Sequence, residues 1–321
     1  MRRHMLIGCV TAMTVIGCGG GRSDSSSTAA VALTDGSRLA VDGGEIWYRV
    51  VGTGAGTPVI LLHGGPGYSS HYLKSLEALG DDRVVVRYDQ LGGGKSDRMA
   101  DTTKFTIAHF VQELDSLRAY LGLKKVDLYG HSWGTILAVE YYRAHPERVH
   151  AMVLASPALD IPAWEANARE LVKTLPDSMQ RAITVREASK EYDAPDYQAA
   201  LMAFYGRYVF RHPVQADLDS MFATVNEDIY NYMQGPSEFT ITGTLKTYDA
   251  TAFLSEVRVP VLYTVGEFDE AVPEQVKQFA DATLGAQMVV IPGAAHMTQW
   301  DNPEANLAAV RTFLRDTDTP K

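Results

Sequence analysis

The sequence predicts an α/β fold: a mostly parallel sheet with a helical cap inserted before the last two strands. Three observations predict it. Short apolar, β-rich runs alternate with stretches of helical periodicity, the pattern of strands joined by crossover helices. Several of these runs are apolar without alternation, as strands are when both faces of their sheet are covered. From Leu159 to about Ala250 strand-like runs stop, and a stretch rich in Ala, Glu, Tyr, Met and Arg takes over, broken at Pro176, Pro195, Pro213 and Pro236.

In chain order, Arg38–Val41 and Glu45–Val51 read as a leading hairpin around Asp42-Gly43-Gly44. Pro58–Leu62, Val84–Tyr88, Val126–Tyr129 and Val149–Ala155 are continuous apolar strands. Phe105–Leu121 carries apolar residues at helical spacing and stops at Gly122, and a second helix follows over Thr135–His145. Strands resume at Val259–Val265 and Met288–Ile291, each followed by a helix. The expected division is therefore core over 31–158, helical cap over 159–250 and core again over 251–321.

The first thirty residues read as something other than fold. Arg2 and Arg3 precede a short apolar stretch, Met5–Ile16, which is too short to span a bilayer as a helix. It ends in Val15-Ile16-Gly17-Cys18, which resembles the bacterial lipobox, whose cysteine carries lipid in the mature protein. The expectation is a lipoprotein signal peptide over 1–17, lipidation at Cys18, a Gly/Ser-rich tether over 18–30 and a lipid-anchored place in the cell envelope. A plain signal peptide with secretion is the alternative. The two cysteines, Cys9 and Cys18, both fall in this leader, so disulfides, thiol nucleophiles and cysteine-based metal sites are excluded from the domain by counting. No H-E-x-x-H is present, and no metal or cofactor is expected. A net charge of −10 and a pI near 5.4 argue against a nucleic-acid surface, and membrane contact is expected through the lipid alone.

The chemistry centres on Gly130-His131-Ser132-Trp133-Gly134, a G-x-S-x-G pentapeptide set between the strand at Val126 and the helix after Thr135. Strand, glycine-flanked serine and helix form the context of a nucleophile elbow, which exposes the hydroxyl at a strained turn. A serine hydroxyl is a weak nucleophile and needs a base that a third group orients. Such partners follow in the order serine, acid, histidine, at the ends of later strands. After Val261–Gly266 comes Glu267-Phe268-Asp269-Glu270, and after Met288–Ile291 comes Gly293-Ala294-Ala295-His296. Asp269 is assigned as the acid, with Glu267 and Glu270 as rivals, and His296, the one histidine beyond His212, as the base. His63-Gly64-Gly65-Pro66-Gly67, one strand upstream, fits an oxyanion loop: Gly65 supplies one amide and Trp133, after the nucleophile, the other.

With Tyr88-Asp89-Gln90-Leu91-Gly92 added, the H-G-G-P-G loop, the G-H-S-W-G elbow and the late Asp and His resemble the proline iminopeptidase family of α/β-hydrolases, from about Gly43 to Arg315. Many members carry arginine after Asp-Gln. Leu91 stands there in this chain, as in the broader-specificity branch with the tricorn-interacting aminopeptidases and L-amino-acid amidases. The resemblance implies a serine aminopeptidase that releases an N-terminal proline or small apolar residue from short peptides through an acyl-enzyme. Amino-acid amides or esters under the same triad are the alternative, and a silent peptide-binding lipoprotein is a distant one. Such an enzyme needs a carboxylate facing the free ammonium in a water-poor site. The cap offers Glu238 in Gly235-Pro236-Ser237-Glu238-Phe239, preferred by resemblance to the family's cap motif, and Glu227 second.

Overall fold

The computed structural model describes residues 32–99 and 101–319. The leader, the tether and Cys18 lie outside the described residues. Eight strands form one sheet: β1 (Thr34–Val41), β2 (Gly44–Val51), β3 (Gly56–Leu62), β4 (Arg83–Asp89), β5 (Val126–His131), β6 (Val149–Ala155), β7 (Val261–Gly266) and β8 (Gln287–Ile291). Their order across the sheet is β1-β2-β4-β3-β5-β6-β7-β8. The β1/β2 and β2/β4 pairs are antiparallel, and every later pair is parallel.

The unbroken apolar runs are explained by the two cores. Successive side chains of a strand face opposite ways. Ile60 and Leu62 of β3 enter one core with Leu128 of β5, while Val59 and Leu61 enter the other with Tyr129. The first core lies under α1 (Ile107–Tyr120), α2 (Trp133–Ala144) and, later in the chain, α9 (Pro273–Ala282). The second lies under the 3₁₀ segment Ser70–Asp81 and the last helix, α11 (Pro303–Asp318), with a short α10 (Thr298–Asp301) before it. β8, at the sheet edge, is only partly covered, and Val290 faces solvent.

Local signals set the helix ends. The Thr106 hydroxyl caps α1 by accepting from the His109 amide, and the chain leaves this helix through Gly122 at φ +68°. Asn302 caps α11 with Pro303 at its first position. Between β6 and β7 come α3 (Ile161–Val172), α4 (Asp177–Ser189), α5 (Pro195–Tyr208), α6 (Gln215–Thr224) and α7 (Glu227–Met233), then irregular chain and a single turn, α8 (Thr251–Leu254). Pro176 sits just ahead of α4 and Pro195 opens α5, so two of the breaks read from the sequence are helix starts. No helix among the described residues is long and apolar enough to cross a membrane.

Candidate active site

The nucleophile, the acid, the base and the glycine loop sit just beyond the carboxyl ends of parallel strands, the edge where open α/β sheets place ligands. β3 delivers His63–Gly67, β5 delivers Ser132, β6 Ser156, β7 Asp269 and Glu270, and β8 His296. Three of these strand exits are strained. Three of the four non-glycine residues at positive φ among the described residues stand here, Ser132 (φ 55°), Ser156 (φ 47°) and the β-branched Val272 (φ 47°), a conformation held only where the surrounding packing enforces it.

The elbow is built by close approach. A Cβ on Gly130 would lie 2.3 Å from the Gly134 carbonyl oxygen, and one on Gly134 would lie 2.2 Å from the Leu62 carbonyl oxygen. Only bare backbone lets α2 come this near to β3 and β5. Ser132 then stands half-buried ahead of α2, with its carbonyl accepting from the Thr135 amide (2.8 Å) and hydroxyl (2.6 Å). Trp133 is the first residue of the helix, where amides have no partner inside the helix itself.

Asp269 and His296 meet at 2.9 Å, Oδ1 to Nδ1. A carboxylate accepts, so Nδ1 carries the hydrogen and Nε2 is the basic nitrogen. Ser132 and His296 line one cavity. Burial by itself would raise the Asp269 carboxyl, but the His296 ring, its hydrogen bond and the Ser156 hydroxyl outweigh burial and hold it below the usual carboxylate range. Asp269 Oδ2 accepts from Ser156 Oγ at 2.6 Å and from the Gly266 amide at 3.1 Å, while Oδ1 also accepts from the Ala271 amide at 2.9 Å. Glu267 instead faces outward to the Gly293 amide.

Gly65 lines the same cavity as Ser132. Gln90 holds this loop: its Nε2 donates to the His63 carbonyl (3.1 Å), its amide donates to His63 Nε2 (3.0 Å), and its Oε1 accepts from Trp133 Nε1 (2.8 Å). The Asp-Gln motif thus ties the glycine loop to the elbow. Leu91 is buried in the core, and its amide donates to Glu113. Burial pushes the Glu113 carboxyl up to about 8.

The two carboxylates expected at the amino group separate. Glu238 lines the cavity, with Oε1 accepting from the Tyr230 hydroxyl at 2.5 Å. Glu227 is a correction. It is exposed on the first turn of α7 and lines a different cavity in the cap, because its helix turns that face outward. Glu270, which the sequence offers as a rival acid, is the second carboxylate at the Ser132 cavity. Glu270 is 1% exposed, lines the Ser132 cavity, and neither of its carboxylate oxygens has a hydrogen-bond partner among the described residues. Burial, then Glu238 and Asp269 nearby, push its carboxyl well above the usual range, and burial also raises Glu238. The only sequence signal for Glu270 was its place beside Asp269 at a strand end. Ser156 had none. Among the cap aromatics, Tyr205 reaches the cavity, whereas Phe239 is fully buried against Phe204 and Tyr232 is exposed.

On the far side of Ser132 a second, smaller cavity is walled by Trp133, Ile136, Ala158, Ile161, Trp164 and Leu245, and Glu238 borders both. Asp127, His150 and Asp318 also cluster, at the opposite end of β5, but the buried Arg83 guanidinium already lies against both carboxylates, at 3.0 and 2.9 Å.

Comparison with known proteins identifies the family. Residues 57–303 match the model of the alpha/beta hydrolase fold family. A proline iminopeptidase of Heyndrickxia coagulans is 42% identical over 85% of this chain and 96% of its own, and one of Saccharolobus solfataricus is 32% identical over 83% and 87%. Among solved structures, the proline iminopeptidase of Mycobacterium smegmatis superposes with a TM-score of 0.80 at 31% identity, covering 88% of this chain and 99% of that one. VinJ superposes at 0.84 with 30% identity, covering 89% and 100%. The chain belongs to the proline iminopeptidase family of α/β-hydrolases.

Proposed function

We propose that this hydrolase is a serine aminopeptidase that removes an N-terminal proline or small apolar residue from short peptides. The observation that carries the reading is the pair of half-buried Glu238 and buried Glu270, two carboxylates at the cavity that also holds Ser132 and His296. Two carboxylates in one water-poor pocket resist ionising together, and a substrate ammonium between them relieves that cost. The amino end is thereby fixed, and the first carbonyl is the one that reaches Ser132. The small cavity beyond Glu238, with Ile136, Ala158, Ile161, Trp164 and Leu245 on its walls, suits a pyrrolidine ring or a short aliphatic side chain.

Ser132 Oγ attacks that carbonyl as His296 Nε2 takes its proton. Asp269 holds the His296 ring in the required tautomer and stabilises the imidazolium. The amides of Gly65 and Trp133 receive the developing oxyanion. His296 returns the proton to the leaving amine, and water, activated by the same ring, releases the amino acid from Ser132. The test is hydrolysis of aminoacyl-naphthylamides with free and acetylated N-termini. Free prolyl or alanyl substrates should turn over and their acetylated forms should not, and Ser132→Ala should remain folded and inactive. Equal rates on free and blocked substrates would remove the aminopeptidase reading.

We also propose that the mature chain begins at a lipidated Cys18 and is held at the cell envelope. The basic pair, the short apolar stretch and the lipobox-like tetrad support this. Labelled palmitate should appear on the wild-type product and vanish in Cys18→Ala. Unchanged labelling would refute it.

A further inference from the structure

Along the wall of the Ser132 cavity runs a chain of buried polar atoms that no step above uses. The Gly64 amide nitrogen lies 2.6 Å from the Tyr72 hydroxyl oxygen, that oxygen lies 2.8 Å from His131 Nδ1, and His131 Nε2 lies 3.0 Å from the His296 carbonyl oxygen. All four residues are buried. The direction of every hydrogen follows. The His296 carbonyl only accepts, so His131 Nε2 carries the hydrogen. Burial, and next the His296 ring, push His131 down to about 3, so the ring is neutral and Nδ1 accepts. The Tyr72 hydroxyl must therefore donate to Nδ1, and its oxygen accepts the Gly64 N–H. Burial also raises the Tyr72 phenol, which keeps its hydrogen. Every donor in the chain has an acceptor.

The two ends of this chain are the two loops that must agree on the position of one carbonyl. Gly64 precedes the proposed oxyanion amide of Gly65. The His296 carbonyl belongs to the residue whose ring serves as base. His131 sits immediately before Ser132, so the chain passes directly beneath the nucleophile.

We propose that Tyr72 and His131 are positioning residues that lock the oxyanion loop to the general-base loop across the elbow. The proposal rests on the catalytic roles given above for Gly65 and His296. Without the Tyr72 hydroxyl, a buried N–H and a buried ring nitrogen lose their partners together, and the two loops can shift independently. Errors of this kind are felt in the transition state, where the oxyanion needs donors at fixed distance, and little in the binding of the ammonium.

The experiment compares Tyr72→Phe, His131→Leu and His131→Gln with wild type, using kcat and KM on prolyl-naphthylamide and on an uncharged ester. It also measures the affinities of prolyl boronate, which forms a tetrahedral adduct on Ser132, and of pyrrolidine, a cyclic ammonium without a carbonyl. Tyr72→Phe and His131→Leu should each lower kcat by roughly 10- to 100-fold, with KM within about threefold. Boronate affinity should fall with kcat while pyrrolidine affinity stays. His131→Gln, whose amide offers one donor and one acceptor, should keep activity within about fivefold of wild type. A Tyr72→Phe kcat within twofold of wild type, or parallel loss of boronate and pyrrolidine affinity, would overturn the proposal. Should Tyr72→Phe give no soluble protein, the His131 pair decides, and equal activities of the Gln and Leu variants would overturn it. A wild-type chain that cleaves the ester but no prolyl substrate would sink the aminopeptidase reading alone, since positioning would still be read from ester kcat.

Discussion

Glu270→Gln keeps the shape of the side chain and removes its charge. In the reading proposed here Glu270 makes one of two charge-assisted contacts to the substrate ammonium. A hydrogen bond to a charged group contributes about 1.5–3 kcal/mol, so kcat/KM on prolyl-naphthylamide should fall roughly 10- to 150-fold. An uncharged ester uses the same Ser132, His296 and Asp269 but carries no ammonium, and its rate should change less than about threefold. The ester is needed as a control because Glu270 Oε1 lies only 3.9 Å from His296 Nδ1. Stability supplies a second reading of the same variant. The Glu270 carboxyl is held well above the ordinary glutamate value of 4.5, mainly by burial and then by Glu238 and Asp269. A group raised in the folded state contributes stability that is complete below its unfolded value and is lost as pH rises through its folded one. Wild type should therefore lose stability relative to Glu270→Gln as pH climbs from 4.5. A difference of about 1 kcal/mol at pH 8 corresponds to a melting temperature roughly 1.5 °C higher in the variant. Equal losses on amine and ester substrates, or an unchanged rate on the amine, would refute the assignment. A melting difference that does not widen with pH would refute the electrostatic argument.

Two further changes probe the groups behind the site. Ser156→Ala removes the hydroxyl at 2.6 Å from Asp269 Oδ2 but leaves the Gly266 and Ala271 amides in place. It should cost about 1.5 kcal/mol of transition-state stabilisation, roughly tenfold in kcat/KM and alike for amine and ester, and unchanged rates on both would dismiss Ser156 as an orienting group. Asp127→Asn disrupts a buried pair with Arg83 (3.0 Å) at the far end of β5 from Ser132. Denaturant unfolding should show a loss of about 3 kcal/mol, with kcat per titrated active site unchanged, and full stability of this variant would contradict the account of that network.

Much of this protein is written locally. The hairpin, the continuous strands, the elbow and the helical block before the last two strands all depend on periodicity over a few residues and on glycine or proline at turns. Such signals survive in the linear chain, so Val149–Ala155 appears in the structure with the same bounds that its apolar run has in the sequence. Ser132, Asp269 and His296 were legible because strand exits are visible and their order along the chain carries meaning.

The partners of those residues were decided by packing. Glu227 and Glu238 look alike in sequence, but one is exposed at a separate opening in the cap and the other lines the Ser132 cavity, because α7 and the irregular chain after it turn their surfaces differently. Glu270 becomes a candidate cation site only when the loop after β7 folds under the cap and deprives both its oxygens of hydrogen-bond partners. Tyr72, His131 and Ser156 touch their partners across 59, 165 and 113 residues of chain, respectively. The sequence by itself determined which strands form and where a nucleophile could stand. Which buried polar groups face one another was settled only when separate loops converged on one sheet edge, because burial and orientation belong to the packed chain and not to any short stretch of it.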